Sequence, residues 1–166
     1  MVMFDIGSGS EALRRRLLRW MHKRHFGCLQ KSVWARPDPC DDLADLLVGT
    51  DARSGSVLLF EGRQVLGGKA DSDIVGEAWD FGAVNAAYAG YLEFARRGIP
   101  ASRKAGAIRD WADRESFLWG AAMAKDPLLP KVLLPRGYGG EAAWEQRRKL
   151  LKNAGALREK LAGADG

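Results

Sequence analysis

Met1-Val2-Met3-Phe4-Asp5-Ile6, followed by Gly7-Ser8-Gly9-Ser10 and then by Glu11-Ala12-Leu13-Arg14-Arg15-Arg16-Leu17-Leu18-Arg19-Trp20, is the stretch on which the fold turns. Apart from Asp5, its first six residues are β-branched, aromatic or long apolar side chains, which reads as a short strand. The Gly-Ser run ends that strand in a turn. Ser10 is suited to cap a helix, and Glu11 to its first turn, where a carboxylate meets the positive end of the peptide dipoles. Leu13, Leu17, Trp20 and Met21 then recur at helical spacing, so a helix runs to about His25 with Arg15, Arg16, Arg19 and Lys23 off its apolar face. Phe26-Gly27 closes it, with Gly27 as a left-handed cap.

Working outward, residues 28–36 read as one extended run, with Leu29, Val33 and Trp34 carrying strand propensity and Pro37 and Pro39 ending it. Asp41 caps a short helix through Leu43, Leu46 and Leu47 that stops at Gly49. Ser56-Val57-Leu58-Leu59-Phe60 is a clear strand, and Gln64-Val65-Leu66 a weaker one. The order strand, helix, strand, helix, strand is a split βαβ, or ferredoxin-like, outline. After Lys69 the pattern turns helical. One helix is expected from about Asp80 to Arg97, another from about Ser102 to Lys125 with Ile108, Trp111, Phe117, Leu118 and Ala121 inward, and a last from about Glu141 to Leu161. The fold class is α+β: a ferredoxin-like half over residues 1–70, then an all-helical half over 71–166.

Apolar residues make up 46% of the 166 and charged residues 28%, a globular balance with enough apolar surface for a core. The net charge of +5 favours anionic company such as nucleic acid or phosphorylated ligands. Two cysteines, Cys28 and Cys40, and two histidines, His22 and His25, do not form the paired knuckles of a structural zinc site. Free buried thiols fit a reducing compartment. No apolar run approaches the roughly 20 residues that span a bilayer, and the N-terminal stretch lacks a signal-peptide layout. A cytoplasmic protein with no cofactor is expected.

Asp5, at the end of the first strand beside a glycine-rich turn, is placed to hold a divalent metal or activate a water, or simply to cap the turn. Arg15, Arg19 and Lys23 form one helical row beside Arg16, which suits phosphates and equally suits a solvated face. Gly7-Ser8-Gly9-Ser10 before a helix has the makings of an anion loop, without a P-loop or GxGxxG pattern. His22, His25 and Cys28 lack a nucleophile, base and acid that the sequence places together. Trp79 and Trp119 are candidates to line a ligand pocket between the halves; core packing is the alternative for both.

Val2-Met3-Phe4-Asp5-Ile6, Arg16-Leu17-Leu18-Arg19-Trp20 and Gly27-Cys28-Leu29-Gln30-Lys31-Ser32-Val33-Trp34 resemble the middle domain of PaaX-type bacterial repressors. That domain is itself similar to the small CRISPR-associated integration subunit. Glu77-Ala78-Trp79-Asp80-Phe81 with Asn85, Ala87 and Tyr88 resembles the start of the PaaX C-terminal region. Asp126-Pro127-Leu128-Leu129-Pro130, Leu133-Leu134-Pro135 and Tyr138-Gly139-Gly140 resemble a later stretch of it. Gly7 stands where the family tends to carry proline, and Tyr138 where a tryptophan is usual. PaaX-type proteins open with a winged helix–turn–helix, whereas this chain starts at the first strand, so no major-groove reading is expected of it.

The resemblance implies a dimerising, ligand-sensing regulatory module that answers to an acyl-CoA effector. The expected partners are a second copy, or a full-length repressor in a mixed dimer. Similarity to the integration subunit implies instead a nucleic-acid-binding or metal-dependent nuclease dimer in which Asp5 holds the metal, with the DNA backbone as a partner. No membrane association is expected.

Overall fold

The computed structural model describes residues 1–6, 11–40, 55–62, 68–102 and 104–162. The expected Gly7–Ser10 turn with its Ser10 cap, the helix over 41–49 and the strand over 64–66 lie outside the described residues. The chain forms two compact units, one of residues 1–80 with 127–135, the other of 81–126 with 136–166. The units part at Asp80–Phe81 instead of the expected 70/71, because a helix at residues 71–78 packs on the sheet of the first unit.

In the first unit β1 (Val2–Ile6) is followed by α1 (Glu11–Lys23), β2 (Gly27–Gln30), β3 (Val33–Ala35) and β4 (Gly55–Leu59). The sheet order is β2-β3-β1-β4, antiparallel throughout, with Met3 opposite Val33 on one side and Leu58 on the other. Placing β3 between β1 and β2 splits the βαβ unit, which is the ferredoxin-like arrangement. The single extended run expected over 28–36 is a hairpin. Lys31 and Ser32 make its turn, and the register slips between Cys28 and Gln30. That slip is a β-bulge, and it lets two short strands use one apolar run.

α1 lies on one face of this sheet because its apolar stripe has nowhere else to go. Val2, Phe4, Leu17, Trp20, Met21, Phe26, Trp34 and Cys40 form one core. Val2, Leu17 and Met21 are fully buried, each contributing about 1.5–3 kcal/mol in apolar transfer. The left-handed residue closing α1 is His25, with φ 59°, and not Gly27. The Phe26 amide donates to the Met21 carbonyl at 3.1 Å, the wide bond of a Schellman cap. Gly27 is needed for a different reason: a Cβ there would lie 2.5 Å from Cε2 of Trp79. The Trp79 indole cannot retreat freely, since its Nε1–H donates to the His25 carbonyl at 3.0 Å.

Trp79 follows α2 (Asp71–Ala78), a separate helix within the stretch after Lys69 whose pattern turns helical. The Asp73 carboxylate accepts the Ala70 N–H at 3.1 Å, satisfying one of the amides a helix start leaves open. A 3₁₀ turn, Lys131–Leu133, packs against α2, bringing residues 127–135 into this unit.

The second unit is three helices, α3 (Phe81–Arg96), α4 (Ala105–Met123) and α5 (Gly140–Ala162). α3 packs against both α4 and α5. Val84, Tyr88, Tyr91, Ala95, Trp119, Ala122, Ala143 and Leu150 make its core. The inward face of α4 differs from expectation: Phe117 is 66% exposed and Ala121 is exposed, while Glu115, Trp119 and Ala122 are buried. The face is rotated to bring Glu115 to a cation on α5.

Candidate functional site

Asp5 is exposed on the face of the sheet opposite α1. Period-2 alternation sets this: Val2 and Phe4 point to the core, so Met3 and Asp5 point away from it. Asp5 is paired in register with Ser56 and lines a shallow cleft of about 280 Å³ with Met3, Ser32, Val33 and Leu58. Met3 and Leu58, directly opposite each other across β1 and β4, are 37% and 48% exposed. On this face the described residues make an apolar strip with one carboxylate at its end. No group of three His, Cys, Asp or Glu side chains able to hold a metal occurs among the described residues.

Arg15, Arg16, Arg19 and Lys23 are all exposed on α1, and none makes an ion pair among the described residues. Nearby, the Arg24 guanidinium lies 4.5 Å above the Trp20 ring and the His22 ring meets Trp34 edge-on at 5.0 Å. The α1 row thus keeps its charge in water. Trp79 and Trp119 belong to different units. Trp79 is half-buried over Gly27 and bonded to His25. Trp119 is buried among Tyr91 at 5.0 Å, Trp144 at 4.6 Å and the Arg147 guanidinium at 4.5 Å.

Two buried carboxylates, neither singled out by the sequence pattern, organise the helical unit. Glu115 Oε1 accepts the Tyr91 hydroxyl at 2.9 Å and Arg147 Nε–H at 2.8 Å, while Oε2 faces Arg147 Nη2 at 3.4 Å. Asp126, fully buried, accepts the hydroxyls of both Tyr88 and Tyr138. Asn85 holds the chain beside Tyr138, accepting the Gly139 N–H at 2.8 Å and donating to the Gly137 carbonyl at 3.2 Å. Burial, and then the hydrogen bond to Asp126, raises the Tyr88 hydroxyl well above the usual phenol range. The same two causes push Tyr138 up to about 12. Tyr91 is raised by burial and by Glu115. Hydroxyls held protonated beside carboxylates act as fixed donors, so these clusters lock the packing of α3 against α4 and α5. A sequence signal did exist for Tyr88, on the apolar stripe of α3. Glu115 and Asp126 gave none, since a lone acidic residue on a helix or before proline reads as solvent-facing or as a stop.

No helix among the described residues is long and apolar enough to cross a membrane. The family model described as the PaaX protein central Cas2-like domain matches residues 1–75. Among solved structures, the uncharacterized protein Rv0674 from Mycobacterium tuberculosis is similar in fold, with a TM-score of 0.61 and 22% identity. The alignment covers 96% of this chain and 62% of that one, so the chain spans less than two thirds of that protein's length. No curated protein matches the chain. In its sheet order, its α1-covered core and its matched residues, the segment 1–75 is similar to the central Cas2-like domain of PaaX proteins.

Proposed function

We propose that this chain is a non-enzymatic module of a transcription regulator that pairs with a second copy through the face of its sheet opposite α1. The observation that carries the reading is the strip Met3, Leu58 and Val33, apolar side chains in register on a face that α1 does not cover. Exposed apolar strips on a sheet mark association surfaces. A second copy is the occupant that the regulatory family calls for, since a two-fold pair needs only one surface. Four strands of three to five residues, about 4.8 Å apart, offer a face on the order of 300 Å². That is below the roughly 800 Å² per partner of a standard interface. The pair is therefore expected to be concentration-dependent.

Sedimentation velocity from micromolar to hundreds of micromolar protein tests this. Wild type should shift from monomer to dimer, while Met3→Glu or Leu58→Glu should stay monomeric with unchanged circular dichroism. A wild type that is monomeric throughout would remove the reading. In the fuller form of the proposal the module senses a small effector, an acyl-CoA in the family that it resembles, and also pairs with a full-length repressor.

A second reading has Asp5 in its support, exposed at the end of the same face, where pairing would bring two carboxylates together. It makes the protein a metal-dependent nuclease, or a binder of nucleic-acid backbone through Arg15, Arg16, Arg19 and Lys23. Cleavage in Mg²⁺ or Mn²⁺ that Asp5→Ala abolishes would establish it; equal cleavage by the variant would end it.

A further inference from the structure

Arg36, just past the end of β3, is held in an unusual way. Its side chain is only 22% exposed, its guanidinium carbon lies 5.5 Å from the centre of the Phe26 ring, and its buried Nε–H meets no acceptor among the described residues. Among the described residues the carboxylate it meets is Asp38, whose Oδ2 is 3.5 Å from Nη2 and whose side chain is 58% exposed. At that length and exposure the pair contributes little. Leaving a buried N–H unsatisfied has a cost that an incoming acceptor relieves.

Beside Arg36 a cavity of about 640 Å³ opens, with Phe26, Pro37, Cys40, Leu59 and Phe60 in its apolar lining. Its size is that of a small-molecule site, and the lining is apolar around few polar groups, as such sites are. It also accounts for two side chains that the sheet leaves in water: Leu59 and Phe60 are 40% and 41% exposed on its wall. The charged groups on it are Arg36, Asp38 and Glu61, together with the Met1 amino group, which donates to the Phe60 carbonyl at 2.7 Å.

We propose that this cavity binds a small monocarboxylate with an unbranched apolar tail. The carboxylate would accept Arg36 Nε–H and an Nη–H together, the bidentate geometry a guanidinium favours. The tail would lie against Phe26, Leu59 and Phe60. Asp38 competes for the guanidinium, and Asp38 and Glu61 oppose a second negative charge, so a dicarboxylate of equal length binds worse. As a sensing site, this rests on the effector part of the reading above; as a binding site, it stands alone.

The experiment is calorimetric titration of the full chain with butanoate, hexanoate and octanoate, beside octanol, octylamine and octanedioate. Carboxylate affinity should tighten about fourfold for each added methylene. Arg36→Met should weaken octanoate at least tenfold, and Asp38→Asn, an exposed change that leaves the core intact, should tighten it several-fold. Octanol or octylamine binding as tightly as octanoate, affinity indifferent to both variants, or no carboxylate binding at all would each overturn the proposal. CoA thioesters titrated in parallel separate the two ideas. Thioesters bound equally by wild type and Arg36→Met, with carboxylates ignored, would sink the cavity and keep the effector; neither class binding would sink both.

Discussion

The Arg147→Met substitution is expected to destabilise the helical unit by about 3–5 kcal/mol, the cost of stranding one member of a buried ion pair. Arg147 supplies the cation to Glu115, whose side chain is only 3% exposed. Methionine keeps most of the apolar stem, so lost packing contributes little. With the guanidinium go its stacking over Trp119 at 4.5 Å and two of the three hydrogen bonds to Glu115, leaving Tyr91 alone on Oε1. Urea unfolding followed by near-ultraviolet circular dichroism reads the effect, because Trp119 and Trp144 lie in this cluster. The double variant Glu115→Leu/Arg147→Met is expected to regain most of the loss, since a filled apolar site has no stranded charge. A single variant within about 1 kcal/mol of wild type would mean the pair is solvated in the folded protein.

Alkaline titration gives the second large effect. Tyr88, Tyr91 and Tyr138 are all the tyrosines of the chain, and burial raises every one of them. An unfolded phenol loses its proton near pH 10, whereas the folded ones hold theirs to higher pH. Stability from these groups is therefore complete below about pH 10 and is lost as pH rises toward the folded values, at about 1.4 kcal/mol per pH unit for each tyrosine still protonated. The tyrosinate absorbance band should stay flat through pH 10 and then rise in one step, together with loss of the helical signal. A gradual rise centred near pH 10 with the helices intact would show the hydroxyls to be in water. Tyr138, pushed up to about 12, is the one expected to lead.

What the sequence made legible follows from the range of the forces involved. β1, α1, β4 and the three long helices are written in local periodicity and local stops, and each lies within a few residues of its expected bounds. The β2–β3 hairpin was hidden because Lys31-Ser32 is not a Gly or Asn turn, and because a bulge carries the register across it. The face of α4 was misjudged because Glu115 reads as solvent-facing until its partner, 32 residues on, is brought to it. Asp126 before Pro127 reads as a stop, and it is also the acceptor for two tyrosines. Asp5 and the α1 row were locatable by alternation and helical spacing, since exposure is a local property. The Arg36 cavity was not, because its walls come from Met1 and from residues 26–40 and 59–62, which only the sheet brings together.

Residues 127–135 join the first unit although residues on either side belong to the second. Leu129 is buried there, and the preceding Leu128 takes a left-handed φ of 53°. On the ribosome, synthesis runs from the N-terminus, and domains generally fold as they emerge. In this chain residues 127–135 are made only after α3 and α4, so the sheet-bearing unit gains its last segment after most of the helical unit has been synthesised. A protease cut after Asp80 cannot release the first unit whole, because its last nine residues travel with the other fragment.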